Sequence, residues 1–200
     1  MSDWITNATL LQRVKNQYDD KSWDEFNEYY RPYIYMIVKG LNMRHHDAQE
    51  LTQLILIKTW KNLPTFEYDP DKGCFRSWLR RVAVNSVRNY VVTKAYKQVS
   101  LDALEEQEGH VYSEHEFTES EIEKVADREW ENYIFGMAWE NVKDKFNDNI
   151  QNVYEQLLQD LDPEAIAENI GIKRNTVYIY RKRVNEKLFK EIRRLNYELG

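Results

Sequence analysis

"DPEAIAENIGIKRNTVYIYRKRVNEKLFKEI", from Asp162 to Ile192, carries the densest run of local folding signals in the chain. Asp162 precedes Pro163, so it is placed to cap a helix whose first residue needs no amide hydrogen. Ile166 and Ile170 give that helix an apolar edge, and Ala167 leaves room for a second helix to cross closely. Gly171 supplies the left-handed backbone that a tight turn demands. After Ile172, Asn175 or Thr176 is placed to cap a second helix, with Val177, Val184 and Leu188 turned inward. Small, glycine and branched residues at these positions spell a helix-turn-helix of the kind that enters a DNA groove. Its outer face then offers Arg174, Asn175, Thr176, Tyr178, Arg181, Lys182 and Arg183. Cations neutralise phosphates, arginine can read a guanine edge and asparagine an adenine edge. A plain helical hairpin with a charged surface is the alternative.

Working towards the N-terminus, nearly all periodicity is helical. "DREWENYIFGMAWENVKDKF" and "NIQNVYEQLLQ" are two further helical patterns. Helices are expected from about Asp3 to Lys15 and from Ser22 to Lys39. "HDAQELTQLILIKTWKNL" follows, where Asp47 and Glu50 have the spacing of a capping box. "PTFEYDPDKG" is a loop broken by Pro64, Pro70 and Gly73. The expected fold class is all-α.

The net charge of −6 hides a partition. Residues 1–99 carry +4, residues 100–160 carry −13 and residues 161–200 carry +3. Two basic ends around an acidic middle suit two nucleic-acid-binding regions better than a uniformly acidic enzyme. Residues 100–123 hold nine carboxylates and no lysine or arginine. They read as an extended, self-repelling linker, or as a segment that folds over the basic faces and damps non-specific DNA binding. No apolar run approaches the roughly 20 residues that span a bilayer. The N-terminus does not read as a secretory signal. The lone Cys74 makes no internal disulfide, and a cytoplasmic setting is expected.

"GCFRSWLRRVAVNSVRNYVV", Gly73 to Val92, is an odd stretch for an acidic protein. Leu79, Val82, Ala83, Ser86, Val87, Tyr90 and Val91 fall on one helical stripe, the expected buried face. Arg81, Asn85, Arg88 and Asn89 fall on another and form a single polar row.

Taken in order, these pieces resemble an extracytoplasmic-function (ECF) sigma factor, a member of the sigma-70 family of RNA polymerase subunits. "SWDEFNEYYRPYIYMIV" is similar to the opening helix of the family's second sigma domain. "HDAQELTQLILIKTWKNL" looks like the helix that docks on the beta-prime clamp helices. "FEYDPDKGCFRSWLRRVAVNSVRNY" resembles the promoter-melting loop and its helix, and the C-terminal motif resembles the fourth sigma domain. The "VYIYRKRV" run is similar to planctomycete-like versions. The resemblance implies two small helical domains, residues 1–98 and 125–200, joined by an acidic flexible linker over 99–124. It implies a promoter-specificity subunit, not an enzyme, with core RNA polymerase (beta-prime clamp helices and beta flap) and duplex and single-stranded promoter DNA as partners. An anti-sigma factor is usual in the family.

It further implies that Arg80, Arg81 and Arg88 hold phosphates near minus ten, while Asn85 and Asn89 touch base edges. Phe75, with Phe66 or Tyr68, would wall a pocket for an unstacked base, and Trp78 would anchor the loop. Asp47, Glu50, Gln53 and Leu54 would meet the polymerase. The C-terminal set from Arg174 to Arg183 would read the minus-thirty-five duplex. Tyr180 and Arg181 depart from the family's usual pattern, which puts the reading face in question by one residue.

Two rivals stand beside this reading. One is a stand-alone helix-turn-helix regulator with an N-terminal helical sensing domain. The other is a nucleic-acid-modifying enzyme using His45, His46, Asp47 and Glu50. Adjacent histidines diverge on a helix and the usual i, i+4 histidine pair is missing, so neither a metal nor a cofactor is expected. His110 and His115 in the linker show no ligand spacing.

Overall fold

The structure is a computed structural model that describes residues 6–41, 43–67, 75–102 and 118–199, with the side chains of all but 6–9, 94–102 and 119. Among the described residues there are eight α-helices, a one-turn 3₁₀ helix and no strand, so the all-α expectation holds. The helices gather into two compact units, Met1–Glu131 with Glu198–Gly200, and Asn132–Tyr197. Readings that rested on Tyr68, Pro70, Gly73, Cys74, Gly109, His110 and His115 lie outside the described residues. The same holds for the body of the acidic linker.

The first unit contains α1 (Thr6–Arg13), α2 (Asp20–Gly40), α3 (His45–Asn62), the 3₁₀ turn Leu63–Thr65, α4 (Phe75–Asp102) and the first half of α5 (Glu119–Lys143). Asp19 caps α2, accepting from the Ser22 amide at 3.1 Å and the Ser22 hydroxyl at 2.6 Å. Those bonds favour the ionised carboxylate and hold it below its usual range. The core is aromatic. Phe75, at the start of α4, meets Phe26 and Tyr30 of α2 and Phe66 edge-on, with ring centroids 5.2–5.9 Å apart. Edge-to-face pairs at such distances are favoured by the ring quadrupoles. Trp78 closes the cluster at 4.8 Å from Phe66 and 5.4 Å from Phe75. It is only partly buried.

Two local expectations are corrected. The capping box at Asp47 and Glu50 does not form, because α3 begins at His45 and its N-cap, Arg44, makes no side-chain cap bond. Asp47 therefore sits inside the first turn. Residues 119–124, read from sequence as the end of the linker, are the first turns of α5. Thr118 and Glu121 make the reciprocal cap there: the Thr118 amide donates to Glu121 at 2.8 Å and the Glu121 amide to the Thr118 hydroxyl at 3.2 Å. The Thr-x-x-Glu spacing was a legible signal.

The second unit comprises the rest of α5, then α6 (Asp148–Leu158), α7 (Pro163–Ile170) and α8 (Arg174–Leu199). Asn147 caps α6 by accepting from the Ile150 amide at 3.0 Å. Asp162 caps α7 as its position predicts, accepting from the Glu164 amide at 2.7 Å. Gly171 adopts φ 73°, and the Ile172 amide returns to the Ala167 carbonyl at 3.0 Å. That bond closes the helix in a left-handed turn suited to glycine. Val153, Ile166, Ala167 and Val177 form the core between α6, α7 and α8. α8 starts at Arg174, so Asn175 and Thr176 lie within its first turn and do not cap it, which corrects the expected start.

Candidate nucleic-acid interface

On α4 the buried side is Phe75, Leu79, Ala83, Val84, Ser86 and Val87. Burying these residues orients the helix, and Arg81, Asn85, Arg88 and Asn89 emerge together on its exposed side. Val92 continues the row at 55% exposure. Four polar side chains thus project from one rigid surface, two able to hold phosphate and two carrying amides suited to base edges.

Two residues predicted for this site lie elsewhere. Phe75 is 2% exposed within the aromatic cluster, so it cannot stack on a base in this conformation. That corrects its expected place in the wall of a base pocket: the apolar ring gains more by joining Phe26 and Tyr30 than by facing water. Phe66, the other described wall candidate, is half-buried and packs on the same cluster. Arg80 points away from the row and is engaged by protein acids. Its guanidinium donates to both oxygens of Asp127, at 2.8 and 3.0 Å, and lies 3.6 Å from Glu123. The side chains of Lys94 and Lys97, further along α4, lie outside the described residues.

On α3, Glu50, Gln53 and Leu54 are exposed and Asp47 is half-buried. Leu54 and Ile57 are each 40% exposed, leaving apolar surface beside the acids. Sequence reasoning missed the tie between this face and α4. The Tyr90 hydroxyl reaches Asp47 Oδ1 and Glu50 Oε2, each at 3.3 Å, and Lys58 Nζ donates to Ser86 Oγ at 3.2 Å. Between the helices runs a groove of about 430 Å³, lined in part by Glu50, Leu54, Lys58, Asn89 and Tyr90. The expected polymerase face and the expected base-reading face therefore share a boundary.

His46 joins Asp47 and Glu50 in a group whose potential ligand atoms lie within 4.8 Å of one another. His45 turns aside, its Nδ1 2.9 Å from the Tyr35 hydroxyl. The three grouped residues come from a single helix, and the Tyr90 hydroxyl lies 3.3 Å from one oxygen of each carboxylate.

In the second unit, Arg174, Asn175, Tyr178, Arg181, Lys182 and Arg183 are all exposed and Thr176 is half-buried. Arg174 donates to the Tyr178 hydroxyl at 3.3 Å, lies over its ring at 5.8 Å and stands 3.8 Å from Glu164. The Tyr178 hydrogen bond holds the Arg174 guanidinium above its ordinary range. Tyr180 packs against the core of α6, α7 and α8, whereas Ile179 is 43% exposed. The outward surface thus includes an isoleucine that sequence reasoning passed over; its fourth-residue offset from Asn175 could have found it. Tyr154 donates to Asn185 at 2.9 Å, and its hydroxyl is pushed up by burial, with the nearby Arg181 charge opposing.

Comparison with known proteins bears on this geometry. A family model described as sigma-70 region 2 matches residues 26–95. The ECF RNA polymerase sigma factor SigE of Mycolicibacterium smegmatis is 25% identical over 119 residues, 56% of this chain and 44% of that protein. The ECF RNA polymerase sigma-E factor of Escherichia coli K12 is 29% identical over 107 residues, 52% of this chain and 53% of that one. Over residues 26–95 the chain thus resembles sigma-70 region 2, and the relatives it is similar to are ECF sigma factors. It spans about half the length of these curated relatives. The matched part of the chain runs from α2 into α4 and includes the whole exposed row. A solved chain from a structure of CnrH in complex with the cytosolic domain of CnrY covers 92% of this chain and 95% of its own, at 16% identity and a TM-score of 0.37. Among the described residues, no helix is long and apolar enough to cross a membrane.

Proposed function

We propose that the chain is a promoter-specificity subunit that binds core RNA polymerase and directs sequence-specific initiation, leaving catalysis to the polymerase and acting in the cytoplasm. The helices α1 to α4 bind the polymerase and open and read the minus-ten element, the acidic segment between α4 and α5 tethers, and the second unit reads the minus-thirty-five duplex. Arg81 and Arg88 hold phosphates of the opened strand while Asn85 and Asn89 face its bases. Asp47, Glu50, Gln53 and Leu54 meet the beta-prime clamp helices, whose basic coiled coil suits an acidic face with apolar contact beside it. Arg174, Asn175, Thr176, Tyr178, Arg181, Lys182 and Arg183 line the recognition helix. The beta flap and an anti-sigma factor are further partners.

The observation that carries this reading is the row from Arg81 to Asn89, exposed on one face of α4 within the sigma-70 region 2 match. A stand-alone regulator would have the helix-turn-helix but no use for that row. The test is run-off transcription with purified core enzyme and a promoter library. Transcription should depend on the chain. Asn85→Ala, or Arg181→Ala with Lys182→Ala, should weaken promoter use by about tenfold while core binding persists, in line with ~1–3 kcal/mol for a good base contact. A mixture that transcribes no better with the chain than without it overturns the proposal.

A further inference from the structure

We infer that the face of α2 and α4 built from Tyr33, Gly40, Arg76 and Arg80 is an exchangeable docking surface. In the free chain, residues 119–131 of α5 occupy it, and they must leave before Arg80 can hold a DNA phosphate. The first occupant is read from the structure directly; the second rests on the proposed role in promoter opening.

The cover has an apolar ridge and an acidic edge. Ile122, Ala126 and Trp130 recur every fourth residue and are buried to 0%, 0% and 2% exposure. Trp130 meets the Tyr33 ring edge-on at 4.9 Å and 75°, and the Tyr33 hydroxyl donates to the Ala126 carbonyl at 3.3 Å. Gly40 lets the helices approach: a Cβ there would stand 2.7 Å from Val125 Cγ1. With valine at 125 a side chain at position 40 would have to displace that methyl, so a cysteine pair there must replace both residues.

The acidic edge takes the cations. Asp127 accepts Arg80 through both oxygens and Glu123 stands behind it. The Arg76 guanidinium carbon lies 5.1 Å from the Trp130 ring centre, in cation–π range. Both Asp127 oxygens take the same guanidinium nitrogen, Nη1, a donor that a phosphate oxygen could accept from instead. The ion pair is partly exposed, with side-chain exposures of 26% for Arg80 and 52% for Asp127. Salt screens such a pair and a competing phosphate can replace it. The buried ridge supplies the hold and the acids supply the competition. An acidic segment placed on an arginine of the nucleic-acid-facing helix weakens non-specific binding by the free chain. That is the damping role considered for the acidic middle, here assigned to particular side chains.

The test locks the cover in place. A full chain carrying Cys74→Ser, Gly40→Cys and Val125→Cys should form a disulfide on oxidation. The oxidised chain should then lose promoter opening with core polymerase, and reductant should restore it. Equal transcription by the oxidised and reduced chains overturns the inference, and so does failure of the bridge to form. In parallel, Glu123→Gln with Asp127→Asn should tighten binding of the free chain to a labelled single-stranded oligonucleotide about threefold, the scale of a surface ion pair. Adding Arg80→Ala should remove that gain. A gain that persists without Arg80 reflects net charge alone and overturns the inference. If the reduced chain supports no transcription, the proposed function fails, while the Arg80-dependent gain still reports on the cover.

Discussion

The exposed row on α4 and the outward face of α8 use the same residue types but are held by different means. The α4 row is aimed by contacts distant in sequence. Phe75 packs on Phe26 and Tyr30, and Tyr90 reaches back to Asp47 and Glu50. The α8 face is set mainly by neighbours, through the Asp162 cap, Pro163 and the left-handed Gly171. One surface depends on a three-element aromatic core, and the other on a turn of a few residues. Damage to each should therefore spread differently.

The largest expected effect tests the aromatic core. Phe75→Ala should cost about 3–5 kcal/mol, the usual range for truncating a buried phenylalanine. It should lower the melting temperature of the first unit and disable the α4 row with it. Phe75→Leu, which keeps most of the volume, should restore stability and single-strand binding together. Restored stability without strand binding would return Phe75 to the wall of a base pocket.

Next comes the turn. Gly171→Val forces a branched side chain into left-handed backbone, which costs roughly 1–2 kcal/mol. Duplex binding through α8 should weaken, while single-strand binding through α4 stays unchanged. Equal losses at both surfaces in binding assays would erase the contrast between them.

The smallest effect is a pH dependence within the second unit. Arg194, first, and the hydrogen bond from Asn141 hold the Glu191 carboxyl below its usual range, against burial. A depressed folded-state pKa adds stability above the unfolded-state value, and that stability is lost as pH falls through the folded-state value. Urea unfolding of the second unit should thus grow easier below the ordinary glutamate range. Glu191→Gln should flatten that part of the dependence; an unchanged slope would assign the acid sensitivity to other groups.

The parts legible in the sequence were those with local causes. Asp162, Pro163 and Gly171 act within a few residues of themselves, and they stand where their chemistry requires. The same holds for the row from Arg81 to Asn89, because helical spacing alone collects those residues on one face. The Thr118–Glu121 cap was equally legible and was hidden by the acidic composition around it. Asp47 and Glu50 show the converse: capping-box spacing without a cap, since α3 begins at His45 and both carboxylates face Tyr90.

The sequence by itself determined the all-helical class, the helix-turn-helix and the polar row, since backbone capping and helical periodicity act over short stretches of chain. Only the tertiary structure decided that Phe75 is core, that Tyr180 turns in while Ile179 turns out, and that Arg80 meets Asp127. An aromatic ring or a guanidinium takes whichever partner the fold brings near. In this chain the partner of Arg80 lies 47 residues away, further than any local signal reaches.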